Sequence, residues 1–87
     1  MSQPIQVQVK LFARLREELG TGELTLTLPS GSTAADALDQ LAAQGEPWQQ
    51  LKGDRPVMLA INQAMAKPVN PLQEGDELAL FPPVTGG

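Results

Sequence analysis

The chain opens on a strand that can bury only one of its faces. Ile5, Val7, Val9 and Leu11 alternate with Gln6, Gln8 and Lys10, the period-two pattern that puts every apolar side chain on one side of a sheet. The pattern returns at Leu24, Leu26 and Leu28, separated by Thr25 and Thr27. One-sided strands need a second layer to cover them, and the sequence offers one long candidate. Pro29-Ser30-Gly31 ends the second strand, Thr33 stands three residues before Asp36 in the manner of a capping box, and a helix is expected from there to about Gly45. Ala34, Leu38, Leu41 and Ala42 form its apolar stripe, and the small alanines allow a close approach to a sheet.

The remaining elements fit the same two-layer plan. Leu11, Leu15 and Leu19 recur every fourth residue before Gly20, which predicts a short helical turn between the first two strands. Pro47, Trp48 and Leu51 predict another short turn, where Trp48 reads either as a lid on the core or as a ligand-stacking surface. Lys52-Gly53-Asp54-Arg55-Pro56 is a polar loop, and Asp54 between its two cations argues against a basic clamp. Residues 57–61 (Val-Met-Leu-Ala-Ile) are apolar on both sides, as expected of a central strand covered on both faces. Asn62-Gln63 turns the chain into a short edge segment within Ala64 to Val69, confined to an edge by Pro68. The last strand is Glu77 to Phe81, with Ala79 and Phe81 on one face and Leu78 and Leu80 on the other. The order strand, strand, helix, strand, edge strand, strand is an α+β domain with a mixed sheet of four to five strands on one main helix. Two hairpins joined through one helix is the β-grasp arrangement, although periodicity alone does not select that topology.

Composition narrows the chemistry. The chain has no cysteine and no histidine, so the side chains that most often act as nucleophile, proton shuttle or metal ligand are missing. No metal site and no Ser-His-Asp set is expected. The paired acids Glu17-Glu18 and Asp76-Glu77 are neighbours in sequence and do not converge, so they read as solvated charges. A net charge of -4 opposes the phosphate backbone that dominates nucleic-acid affinity, so no nucleic-acid partner is expected. Nothing near Met1 has the form of a signal core and no run approaches a membrane span, so a cytoplasmic chain without membrane contact is expected.

The reacting atom must then lie outside the usual side chains, and the end of the chain is built differently from the rest. After Phe81 come Pro82, Pro83, Val84, Thr85, Gly86 and Gly87. These six residues can reach roughly 20 Å at about 3.3 to 3.6 Å each. The prolines favour an extended path and the glycines present no Cβ to a narrow channel. Residues 1–81 therefore read as the folded domain and 82–87 as an extended arm. A terminal Gly-Gly also reads as a frayed end, and its position on a strand that runs straight into Pro-Pro-Val-Thr is what sets the two readings against each other.

Gly75-Asp76-Glu77 followed by Phe81 to Gly87 resembles the ending of the sulfur-carrying small subunits of molybdopterin synthase. Leu11-Phe12-Ala13-Arg14-Leu15-Arg16-Glu17, Leu28-Pro29-Ser30-Gly31-Ser32-Thr33 and Ala60-Ile61-Asn62-Gln63 resemble other stretches of that family, so the likeness covers nearly the whole chain. Phe-Pro-Pro before Gly-Gly separates it from the thiamine-pathway carriers. Leu11 departs from the family, where a second phenylalanine is frequent. The resemblance implies a ubiquitin-like β-grasp fold and a carrier that is itself non-catalytic, with the active site on the large subunit. It implies that an E1-like adenylating enzyme uses ATP to activate the Gly87 carboxylate, that a sulfur donor converts the acyl-adenylate to a thiocarboxylate, and that this sulfur is given to cyclic pyranopterin monophosphate to form the molybdopterin dithiolene. No stably bound cofactor is implied, and the partner is the large subunit in a heterotetramer of two small and two large chains. Gly87 would carry the sulfur, Gly86 would give it passage, and Thr85, Val84, Pro83 and Pro82 would line the channel. Phe81 reads either as an interface anchor or as core, and Arg16 either as a partner contact or as a surface charge. Alternative functions for such a tail are sulfur delivery to thiazole or tRNA thiolation, and conjugation to proteins as a ubiquitin-like modifier.

Overall fold

The computed structural model describes residues 3–52 and 57–82. The first strand, β1, spans Ile5–Leu11, followed by helix α1 at Ala13–Leu19, β2 at Glu23–Leu28, helix α2 at Ala34–Ala42, a 3-10 helix at Trp48–Lys52, β3 at Met58–Ile61, β4 at Ala64–Ala66 and β5 at Glu77–Phe81. The strands form one mixed sheet in the order β2-β1-β5-β3-β4. Among the described residues only β1 and β5 run parallel, and the other pairs are antiparallel.

Register decides the two faces. Val9 lies opposite Leu24 on β2 and Leu78 on β5, and Leu11 lies opposite Leu80, which in turn faces Leu59. Apart from Leu24, which packs against it partly buried, these residues and Val7, Leu26 and Leu28 form the core with Leu15 and Leu19 of α1, Ala34, Ala37 and Leu41 of α2, Leu51 and Leu72. Trp48 and Leu38 pack against that core partly buried, so Trp48 is a lid. The expected stripe of α2 shifts by one position: Ala37 is fully buried, whereas Ala42 is only half-buried. The helix stops at Ala42, short of Gly45, because the following turn tightens through Gln44 N–H to Leu41 O and Gly45 N–H to Ala42 O.

The ends of the helices follow their sequence signals. Thr33 Oγ1 accepts from the Asp36 N–H at 3.3 Å and the Asp36 carboxylate accepts from the Thr33 N–H at 2.9 Å, a complete capping box. Gly20 closes α1 at φ 76°, donating its N–H to Arg16 O.

The chain's own polar groups occupy part of the β2 edge and close the turn that follows β4. On β2 the residues facing away from β1 are Glu23, Thr25 and Thr27, since the alternation set by Leu11 N–H to Gly22 O turns the others inward. Thr21 Oγ1 donates to Glu23 O at 2.9 Å and Gln40 Nε2 donates to Thr27 O at 2.9 Å. At the other edge, just past the end of β4, the Lys67 N–H donates to Asn70 Oδ1 and the Asn70 N–H donates to Lys67 O. On β2 these bonds occupy two carbonyls that an incoming strand could otherwise use.

One expectation fails. Residues 57–61 were expected to be covered on both faces, but β3 lies beside the edge strand and the described helices all bury their apolar residues on the other face of the sheet. On the side without a helix, Met58 is half-buried and the small Ala60 is 7% exposed. No helix among the described residues is long and apolar enough to cross a membrane.

Candidate functional site

Because β1 and β5 are parallel neighbours, both end at the same end of the sheet. There β5 releases the tail and β1 turns into α1. The root of the tail is held on both sides. Phe81 lies opposite Met58 on β3, and the Phe12 N–H donates to Leu80 O at 3.2 Å from the β1 side. Leu78 and Leu80, fully buried, fasten the strand to the core.

Alternation then puts Ala79 and Phe81 on the open face, where Phe81 is half-buried and lies outside the core cluster. Ala60 lies opposite both Ala79 and Met65, and Lys10 lies opposite Ala79. Phe12 has extended backbone angles, φ -124° and ψ 157°, so it continues the phase of β1 and follows Lys10 onto the same face. The result is an apolar surface beside the tail root whose exposed or half-buried parts are Phe12, Phe81, Met58 and Met65, with Ala60 and Ala79 between them buried at 7% exposure each. Phe12 is 47% exposed and Met65 63%, two of the three large apolar side chains described as exposed. Exposed apolar groups on a uniform face, rather than scattered singly, mark a surface that another protein covers. Toward β2 the face turns polar. Lys10 Nζ stands 3.7 Å from Glu23 and 3.9 Å from Glu77, and Gln8 Nε2 donates to Thr25 Oγ1.

The far end of β5 is fixed by a polar lock. Asn62 and Gln63 both have positive φ, 51° and 71°, and form the two-residue turn between β3 and β4. Asn62 Nδ2 donates to Asp76 Oδ1 at 2.9 Å, Asn62 Oδ1 accepts from the Glu77 N–H at 3.0 Å, and Asp76 Oδ2 accepts from the Gln73 N–H at 2.8 Å.

Of the residues singled out in the sequence, the structure places Phe81 and Pro82 at the tail root. Pro83, Val84, Thr85, Gly86 and Gly87 lie outside the described residues. Arg16 is at the same end of the sheet but to one side. Its guanidinium lies over Gly22, where a Cβ would meet Nε at 3.1 Å. With Ala13, Glu17, Gly20 and Thr21 it lines a shallow depression. Gly22 sits two strands from Phe81, about 10 Å at ordinary strand spacing, so Arg16 flanks the apolar surface and does not join it. Phe12 and Met65 are the surface residues that sequence reasoning passed over. Their signal was phase: both are large apolar residues at positions that the alternation of their strands turns away from the core.

The family model of the ThiS family matches residues 9–87, and the chain belongs to that family. Its fold is the ubiquitin-like β-grasp. Within the family it is similar to the molybdopterin synthase sulfur carrier subunits of Arabidopsis thaliana, 39% identical over 95% of this chain and 84% of that one, and of Escherichia coli, 39% identical over 93% of this chain and 99% of that one. Among solved structures it is similar to small archaeal modifier protein 1 of Haloferax volcanii, with a TM-score of 0.79 and 32% identity over 92% of this chain and 99% of that one.

Proposed function

We propose that this chain is the sulfur carrier subunit of a molybdopterin synthase and that Gly87 is its reacting residue. The observation that carries the reading is the family match, which runs unbroken to Gly87, together with the names of the relatives it resembles. The geometry supports it: the tail leaves a central strand clamped on both sides, next to an apolar surface with no helix of the described chain upon it.

In this reading the Gly87 carboxylate attacks the α-phosphorus of ATP on an E1-like enzyme and expels pyrophosphate. Sulfide-level sulfur delivered by a donor then attacks the acyl carbon and expels AMP, leaving a thiocarboxylate. The large subunit covers Phe12, Met58, Met65 and Phe81 and receives the arm of residues 82–87, with Pro82 and Pro83 holding it extended and Gly86 passing the narrowest part of the channel. The terminal sulfur bonds to a side-chain carbon of cyclic pyranopterin monophosphate as an oxygen substituent leaves it. Water cleaves the resulting acyl–sulfur bond, returning the Gly87 carboxylate and leaving the sulfur on the product, and a second charged carrier supplies the second sulfur of the dithiolene. Arg16, beside the surface, contacts the rim of the partner. ATP belongs to the activating enzyme, and the carrier itself holds no cofactor.

The test is the intact mass of the chain after incubation with the activating enzyme, ATP and a sulfur source. Replacement of one oxygen by sulfur, located to Gly87 by fragmentation, is expected. No change under any such condition overturns the reading. The likeness to an archaeal modifier protein favours a second reading, conjugation of the tail to lysines, and that reading predicts adducts of higher mass in the same incubation when other proteins are present.

A further inference from the structure

Ala13, the first residue of α1, is the one alanine of the described chain with positive φ, at 52°. That region is unfavourable for a residue carrying a Cβ, and the favoured residues there are glycine and asparagine. Strain of this kind persists where its surroundings fix it, and it concentrates at working surfaces.

The surroundings of Ala13 are specific. Phe12 continues the pairing of β1 with β5 by one residue, through its N–H to Leu80 O at 3.2 Å. The same residue starts the helix, since its carbonyl accepts the Leu15 N–H at 3.1 Å and the Arg16 N–H at 3.4 Å. The helix packs on the core face, where Leu15 and Leu19 are buried, whereas the Phe12 side chain lies on the open face. The chain must therefore leave one face and start packing on the other with no linker, and the whole reversal falls on Ala13.

We infer that Ala13 is a positioning residue, whose left-handed backbone holds Phe12 on the open face at the root of the tail, where it serves the docking of the large subunit. The inference rests on the docking surface proposed above. Glycine would relieve the strain at position 13. It would also widen the angles available between the two anchored segments, so Phe12 would have more freedom to lose on docking.

The experiment measures the affinity of four full-length chains, wild type, Ala13→Gly, Ala13→Asn and Phe12→Ala, for the purified large subunit of the same organism by titration calorimetry. Thermal unfolding and the hydrogen exchange of the Phe12 amide are measured on the free proteins. Ala13→Gly is expected to bind roughly two- to fivefold more weakly, to unfold at the same temperature or higher, and to exchange the Phe12 amide faster. Ala13→Asn, which keeps a Cβ and tolerates the left-handed region, is expected to bind as the wild type does. Phe12→Ala is expected to weaken binding by about tenfold or more, as for an aromatic anchor. If Phe12→Ala weakens binding and Ala13→Gly does not, the positioning role is overturned and the docking surface stands. If Phe12→Ala binds as tightly as the wild type, the docking surface is wrong at Phe12 and the inference falls with it.

Discussion

Asp76→Ala is expected to weaken the fold while leaving the tail's chemistry intact. The carboxylate accepts from Asn62 Nδ2 at 2.9 Å and from the Gln73 N–H at 2.8 Å. Hydrogen bonds to a charged acceptor contribute about 1.5 to 3 kcal/mol each when sheltered and less near water. Asp76 is half-buried, so about 1 kcal/mol for each bond, or roughly 2 kcal/mol together, is reasonable. For a domain of this size that corresponds to a fall in melting temperature of roughly 8 to 16 °C. In urea, the midpoint should move down by about 1 to 2 M with an unchanged slope. Asn62→Ala removes the partner of one of those bonds and the acceptor of the Glu77 N–H. Its cost and that of Asp76→Ala should therefore overlap, with the double variant less destabilised than the sum by at least about 0.5 kcal/mol. A midpoint shift for Asp76→Ala below the error of the titration, or strict additivity in the double variant, would refute the lock as an energetic unit.

Other consequences are open to direct measurement. Thr33→Ala removes the side-chain half of the α2 capping box and should cost about 1 kcal/mol in chemical denaturation. Thr21→Ala combined with Gln40→Ala uncovers two outward carbonyls of β2, and light scattering should then show concentration-dependent self-association that the wild type lacks. Met65→Asp places a charge on the open face at a residue that is already 63% exposed. It should leave the melting temperature within about 2 °C while weakening large-subunit binding by tenfold or more.

The fold was legible where a local pattern carried it. The alternation in Ile5–Leu11 and Leu24–Leu28 located strands and their buried faces, Thr33 and Asp36 located the start of α2, and Gly20 the end of α1. The alternation at Leu78 to Phe81 also assigned faces correctly, although only the structure removed Phe81 from the core. What local pattern could not supply was pairing between distant segments. The parallel contact of β1 with β5 joins residues nearly the whole chain apart, and nothing in either stretch names its neighbour. From that contact follow the position of the tail root beside Phe12 and the openness of the face that residues 57–61 share. An apolar strand with no helix over one face looks, in sequence, the same as one covered on both. The apolar run of residues 57–61 therefore suggested a cover on both faces without saying what the second cover is, and none of the described helices provides it.

The claim that the terminal carboxylate is the reacting group meets its most direct test in a chain lacking Gly87. With the activating enzyme, ATP, a sulfur source, the purified large subunit and cyclic pyranopterin monophosphate, the wild type should yield the dithiolene product. The shortened chain should yield none while melting at the wild-type temperature. Product formation by the shortened chain would contradict the assignment.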